Sequence, residues 1–450
     1  MMTTRFDNSL PALAELIKAE FGAAALDKAV FVRDATGYLS VVVDDDIGEN
    51  RLYELNRKAI AVLGGYARSE DCIRDRDGPG SGRLLAISAP SRIQICGQSL
   101  IFLDRRMVGA DWLLPPKARS AIPRIAFVSI KGGVGRSTAL AVMAAHLSAR
   151  GQRVLAIDLD LEAPGIGTML ISPDAMPKYG TLDYLVENGI SGIDEDFLEN
   201  ARGRSFLGAG GAQVAVLPAF GSETIEHAAG GLAKIARAYL EDVRPGGGTV
   251  SLTDQIREMI ERFEATGDYD VVLVDGRAGL HETTAAVVLG LGAETLLFGI
   301  DEPQTFIGYK LLLSHLASYE GTEYEDWKQR IQFVNAKASA DPQVQAEGAA
   351  RFSDLMTIFD PKAAQNSDPT VKEEKLTADD FDLGWEDPLE DVVADVIGYE
   401  TPIIRILDDA RYRAFDPLRQ PALLTSDLFN VTFADLLRWA DDVASVADQT

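Results

Sequence analysis

The stretch Lys131-Gly132-Gly133-Val134-Gly135-Arg136-Ser137-Thr138 leaves the chain that contains it few options. An apolar run, Ile125 to Ile130, precedes it and reads as a buried strand, while Ala139 to Ala149 follows and reads as a helix. A glycine-rich turn between strand and helix lets backbone N–H groups converge on an anion, and the helix N-terminus adds partial positive charge. The usual phosphate-binding pattern is Gly, any four residues, then Gly-Lys-Ser/Thr. It is broken twice here, by Ile130 at its first position and Arg136 at its lysine. A guanidinium is planar and bidentate where an ammonium is compact, so the charge is kept while the geometry changes. Holding a phosphate follows more directly from these residues than turning it over.

Beyond the loop, short apolar runs alternate with helical segments: Ile125 to Ile130, Val154 to Asp158, Val214 to Pro218, Val271 to Asp275, Thr295 to Ile300 and Ile331 to Asn335. That alternation predicts a doubly wound α/β architecture with a mostly parallel sheet, in which ligands sit beyond the carboxyl ends of the strands. Three of these runs end in polar residues suited to a nucleotide. Asp158 and Asp160 close one strand at a spacing of two, and Asp275 closes another, as acids that hold a metal's water shell and an attacking water do. Asn335 ends a third, with an amide suited to a purine edge. Each has a plainer alternative: Asp158 and Asp275 as helix caps, and Asn335 as a turn residue. Arg277 could sense a phosphate or pair with a nearby acid.

The series KGGVGRST, VLAIDLDLEAPG, YDVVLVDGRAG and FVNAK resembles the ParA/MinD superfamily of dimerising ATPases, in a subgroup with a deviant Walker A motif reading KGGVGR. The resemblance covers most of residues 124 to 337. It implies a P-loop NTPase fold that binds ATP with Mg²⁺, the backbone of Gly132 to Thr138 wrapping the phosphates and Arg136 beside them. It further implies that Ser137, Asp158 and Asp275 serve the metal, that Asp160 orients the hydrolytic water and that Asn335 contacts adenine. The resemblance also implies that Lys131 is the signature lysine, reaching a partner's ATP across a homodimer. The implied function is a cytosolic nucleotide switch, a slow ATPase if Arg136 permits turnover, acting on an unidentified protein partner. Two other functions stay open: a non-hydrolysing nucleotide-binding scaffold, and a DNA-associated positioning ATPase.

Residues 1 to 112 read as a separate small α+β unit. Its expected strands are Ala29 to Arg33, Tyr38 to Val43, Leu84 to Ser88, Arg92 to Cys96 and Leu100 to Leu103, with a helix over Leu52 to Leu63 and a polar loop over Asp75 to Gly82. Leu113 to Pro123 reads as a linker, because Pro115, Pro116 and Pro123 exclude regular pairing. The ATPase-like part spans 124 to 450. Within it Gly189 to Gly211 reads as a loose connection, Gly246 to Gly248 as a turn, and residues 338 to 400 as an exposed acidic insertion.

Composition narrows the partners. The net charge is −26, from 43 Lys+Arg against 69 Asp+Glu, which disfavours nucleic acid and anionic membrane surfaces. No stretch approaches the roughly 20 apolar residues of a membrane span, and Met1 to Leu10 lacks the pattern of a secretory signal. Two cysteines, Cys72 and Cys96, are too few for a disulfide framework and fall outside the ATPase-like part, so the cytoplasm is the expected location. That placement also excludes branches of the superfamily that use cysteines at a dimer seam. The histidines, His146, His227, His281 and His315, show no ligand spacing.

Overall fold

A computed structural model of the 450-residue chain describes residues 4–68, 71–76, 81, 91–95, 97–209, 211–243, 248–318, 325–359 and 403–447. The expected strand Leu84 to Ser88, most of the loop Asp75 to Gly82, Gly246 and Gly247, and residues 360–402 lie outside the described residues.

Strands β1 (Val30–Arg33), β2 (Leu39–Val43), β3 (Ile73–Asp75), β4 (Ser91–Ile95) and β5 (Gln98–Asp104) form one sheet in the order β3-β2-β1-β5-β4. Helices Phe6–Phe21 and Glu49–Leu63 cover it, burying Leu13, Ile17, Leu55 and Leu63 against Phe31, Val41 and Leu100.

The second sheet has eight strands: β6 (Arg124–Ser129), β7 (Val154–Asp158), β8 (Gly203–Arg204), β9 (Val214–Leu217), β12 (Val271–Ala278), β13 (Glu294–Gly299), β14 (Ile331–Ala338) and β15 (Ile404–Leu407). A separate two-stranded ribbon pairs β10 (Asp242–Val243) with β11 (Thr249–Val250). The eight-strand order is β15-β14-β13-β6-β12-β7-β9-β8, parallel throughout except for the β8–β9 edge. This is the mostly parallel, doubly wound α/β sheet expected from the alternation of apolar runs. β6 lies at the centre, with β12 on one side and β13 on the other, so the chain reverses its winding there.

Strand parity sorts the residues into two cores, because successive side chains point to opposite faces. Ile125, Phe127, Val154, Ala156, Val271 and Leu273 pack on the face covered by helices Arg136–Ala149 and Ala434–Ala447. Ala126, Val128, Leu155, Ile157, Val272 and Val274 pack on the other, under helices Leu252–Glu264 and Pro303–Ala317. By the same count Asp158 and Asp275 belong to the first face, with the helix of the glycine loop. Asn335, in phase with Ile331 and Phe333, belongs to the second.

Three segments expected to be irregular are more ordered than their composition suggests. Gly189 to Gly211 contains helix Glu195–Ala201, capped by Asp194 and anchored by Phe197, and strand β8. In the expected insertion, Asp341 caps helix Pro342–Met356, whose Phe352 and Leu355 enter the core beside Phe333. Leu113 to Pro123 has no strand pairing, yet it is docked: Lys117 N–H donates to Leu289 O at 2.8 Å and Ser120 N–H to Gly292 O at 3.3 Å.

The two sheets are tied together around that docked segment. Asp111 accepts from the backbone N–H and the hydroxyl of Thr253, at 3.0 and 2.9 Å, and Gly109 N–H donates to Glu282 at 2.7 Å. His315 meets the Trp112 carbonyl at 2.9 Å, and Gln94 N–H donates to Ser318 O at 3.1 Å.

Candidate functional site

The glycine loop leaves β6 at the centre of the sheet, where the winding reverses and a crevice opens beyond the strand ends. Gly133 and Gly135 have φ of 75° and 95°, a conformation glycine adopts without strain. Two contacts hold the loop's carbonyls: the Ser129 hydroxyl donates to Lys131 O and the Lys337 ammonium to Gly133 O, both at 2.8 Å. Among the described residues the N–H groups of Lys131 to Gly135 donate to no backbone acceptor. Helix Arg136–Ala149 then begins with the orphan N–H groups of its first turn facing the same opening. Gly132 and Gly133 are exposed, so the cradle is accessible.

Three carboxylates lie beside it on the same side of the sheet. Asp275 on β12 and Asp158 on β7 are in direct register, and both are buried. The Ser137 hydroxyl donates to Asp275 Oδ2 at 2.5 Å, joining the loop helix to the strand end. Asp158 accepts from the N–H groups of Asp160, Gly165 and Ile166 at 3.0, 2.9 and 3.1 Å, so it organises the turn that starts helix Ile166–Leu170. Asp158 is not itself the N-cap, which is Gly165, but its carboxylate takes up the N–H groups at that helix's start. Burial, with the Asp275 carboxylate as neighbour, pushes Asp158 well above the usual carboxylate range. Burial also raises Asp275, against the opposing pull of Arg136 and the Ser137 hydroxyl.

Arg136 points into this group of acids. Its Nη2 lies 3.3 Å from Asp160 Oδ2 and its Nε 3.9 Å from Asp275 Oδ1, and the side chain is only 8% exposed. Arg136 Nη1 and Asp275 Oδ1 are buried without a hydrogen-bond partner. Unmet polar atoms of this kind cost about 1 to 3 kcal/mol each. The donor set suits a hydrated divalent cation: a helix N-terminal hydroxyl on Ser137, and an acid behind it with a free oxygen. Among the described residues, no cluster of three or more His, Cys, Asp or Glu has the arrangement of a directly ligated metal. A cation here would be held by Ser137 and a ligand's phosphates, with the acids binding its waters.

The remaining candidates fall around this centre. Lys131 ion-pairs with Glu302 at 2.9 Å on the exposed rim. Arg277 pairs with Glu162, two residues past Asp160, at 2.8 and 2.5 Å. Thr138 lines a small cavity of about 50 Å³ with Val134, Gly135, Lys337, Asp409 and Tyr412. The wall contributed by Ile406 to Arg413 is missed by the sequence reading, which finds no motif there. Asn335 lies in β14, in phase with Ile331 and Phe333, two residues before Lys337. It is buried on the opposite sheet face, where a Cβ on Gly348 would lie 3.0 Å from its Nδ2 and 3.1 Å from Asp301 Oδ2, and its Oδ1 is unpartnered. A larger cleft of about 570 Å³ lies at the far end of the strands, beneath Pro115 to Ala121. Three of its arginines already pair, Arg124 with Glu264, Arg257 with Glu261 and Arg119 with Glu294.

Residues 125–289 match the family described as the CobQ/CobB/MinD/ParA nucleotide binding domain. The match takes in the loop and Asp158, Asp160 and Asp275, and the eight-stranded sheet with its flanking helices is that of a P-loop NTPase of the ParA/MinD fold. No curated protein matches the chain. Among solved structures the chain is similar to a ParA family ATPase from Chlorobium tepidum TLS, with 16% identity, a TM-score of 0.42 and coverage of 71% of this chain and 98% of that one. It is also similar to cobyrinic acid a,c-diamide synthase from Mycobacterium smegmatis with bound ADP and magnesium, with 17% identity, a TM-score of 0.35 and 52% and 82% coverage. A third is the MinD cell division protein of Aquifex aeolicus, with 17% identity, a TM-score of 0.32 and 53% and 78% coverage.

Proposed function

We propose that this chain is an ATP-binding switch of the ParA/MinD type, holding ATP with Mg²⁺ at the loop Lys131 to Thr138. The observation that carries the reading is the Ser137–Asp275 contact, which sets a helix N-terminus, a hydroxyl and a half-satisfied buried acid around one opening. In this reading the backbone of Gly132 to Thr138 binds the phosphates. Bound Mg²⁺ supplies charge neutralisation between them, while Ser137, Asp275 and Asp158 position its coordination and water shell. Thr138 and the wall around Tyr412 flank the rest of the nucleotide. Two chains pair when ATP is present, Lys131 leaving Glu302 for the partner's phosphates, and the release of that pairing signals to a protein partner. The small N-terminal unit would respond to that change, because Gly109 ties it to Glu282, just past the strand carrying Asp275, and Asp111 ties it to Thr253 on the helix before that strand.

Asp160 would orient the hydrolytic water, and its engagement by Arg136 supports a second reading. In that reading the chain binds nucleotide without turning it over, and bound ATP serves as a structural signal. Phosphate release measured alongside mass by light scattering separates the two. A switch shows ATP-dependent dimers that decay with turnover, whereas a non-hydrolysing binder shows dimers that persist. No ATP-dependent change in mass and no nucleotide affinity contradicts both.

A further inference from the structure

The position of Arg136 is stranger than its departure from the motif. A residue at the lysine position of a phosphate loop is expected to reach toward the phosphates, but here the guanidinium turns back between two acids. It is buried there, yet poorly matched. Charge-assisted hydrogen bonds between guanidinium and carboxylate run at about 2.7 to 2.9 Å and are often bidentate. Arg136 makes one contact at 3.3 Å and a looser approach at 3.9 Å, while its Nη1 and the facing Asp275 Oδ1 stay unpartnered. Compare Arg124 and Glu264 in the same sheet, joined by two bonds at 2.7 and 2.5 Å. Arg136 thus supplies positive charge where Asp160 and Asp275 need it, without the geometry of a permanent structural pair.

We propose that Arg136 is the resident counter-cation of the nucleotide-free site, lying against Asp160 and Asp275 so that a divalent cation is excluded from them until nucleotide phosphates draw the guanidinium away. The proposal rests on the ATP-binding reading for its second half only. Exclusion of the cation from the empty site is a property of these side chains alone. The physical reason is competition for one negatively charged space. A guanidinium and a hydrated divalent ion cannot both sit beside Asp275 Oδ1 in a buried cluster, and the phosphates of a nucleotide offer Arg136 a stronger anionic partner just outside it. Arginine suits the device because it stays charged when buried and reaches further than lysine. The consequence is ordered loading, with nucleotide and cation entering together and the cation alone turned away.

The test is Mn²⁺ binding to the full chain without nucleotide, read from the electron paramagnetic resonance signal of the free ion. Wild type is expected to bind Mn²⁺ weakly, and Asp275→Asn is expected not to change that affinity, since the guanidinium charge beside it already keeps the ion from that carboxylate. Arg136→Gln is expected to bind Mn²⁺ about tenfold more tightly, within the usual range of coupling between competing ligands. Adding Asp275→Asn to Arg136→Gln is expected to abolish the gain. Tight Mn²⁺ binding by wild type that Asp275→Asn removes would overturn the proposal, as would equal affinity of a folded Arg136→Gln and wild type. If Arg136→Gln does not fold, Arg136→Met takes its place with the same expected gain, and equal affinity of the folded Arg136→Met and wild type would overturn the proposal. Addition of a non-hydrolysable ATP analogue to wild type should bring Mn²⁺ in with it. Failure of the analogue to bind contradicts the ATP-binding reading and leaves the nucleotide-free comparison standing.

Discussion

Lys131 and Glu302 form an ion pair within one chain, Nζ to Oε2 at 2.9 Å, on the rim of the glycine loop. Both side chains are more than 40% exposed, so the pair is worth no more than about 1 kcal/mol. A contact that weak is compatible with a lysine that leaves its own chain when a partner's phosphates arrive. Glu302→Gln should therefore strengthen ATP-dependent pairing by a few-fold, and Lys131→Ala should abolish it while leaving nucleotide binding by the single chain largely intact. Sedimentation at several protein concentrations, with and without ATP, checks both; unchanged pairing in Lys131→Ala would contradict the role given to this lysine.

The Arg277–Glu162 pair joins the strand that carries Asp275 to the loop that carries Asp160, and Tyr239 approaches the same carboxylate at 3.4 Å. Because Glu162 is 42% exposed, the link is modest in energy but restricts the loop's motion. Arg277→Ala should raise amide exchange across residues 161 to 165 in the nucleotide-free protein with little loss of global stability. Equal exchange in variant and wild type would show that the pair restrains nothing.

Gly292 has φ of 59°, and a Cβ there would lie 1.9 Å from the carbonyl oxygen of Ala118. Backbone strain and a clash with backbone act together, so Gly292→Ala should cost about 2 kcal/mol or more. The loss should appear as a lower urea midpoint, and limited proteolysis should cut within 114 to 123 as the docked segment lifts. A variant as stable as wild type would mean that the segment rests on the sheet without being held.

Burial lowers the affinity of His315 for a proton, with Arg106 acting in the same direction, while the Trp112 carbonyl and Asp104 oppose it. A histidine with a lowered folded value binds fewer protons when folded than when unfolded. Its contribution is present above the unfolded value of about 6.5 and is lost as pH falls through it. Between roughly pH 7 and pH 5.5 wild type should therefore lose stability relative to His315→Gln, which can still donate to Trp112. The difference between the two proteins is the quantity to follow, because buried acids such as Asp111 are shifted upward by burial and work the other way. A constant difference across that range would contradict the assignment.

Much of the ATPase-like sheet was legible because its strands are apolar on both faces and so stand out as runs. The loop was legible because its glycines and hydroxyls have a local meaning, and the register of Asp158 with Asp275 follows once β7 and β12 are neighbours. Asn335 shows the limit of that method. The apolar run that leads to it was readable, but β14 continues past it to Ala338, and only the placement of the loop helix tells which parity faces the loop. Strand β15 and the wall from Ile406 to Arg413 were not readable, since a four-residue strand far along the chain acquires its role only by pairing with β14. Helix Phe6–Phe21 was hidden by Pro11 within it, and helix Pro342–Met356 by the acidic composition that follows. Arg136 could be seen as a departure from the pattern, but its turn toward Asp160 is a tertiary fact.

The central claim is that the loop from Lys131 to Thr138 holds ATP. Calorimetric titration of the full chain with ATP and Mg²⁺ tests it most directly. Saturable binding of one nucleotide per chain is expected, displaced by ADP and weakened in Ser137→Ala, which removes the hydroxyl joining the loop helix to Asp275. No saturable heat with the folded wild-type protein, or binding that Ser137→Ala leaves unchanged, would contradict it.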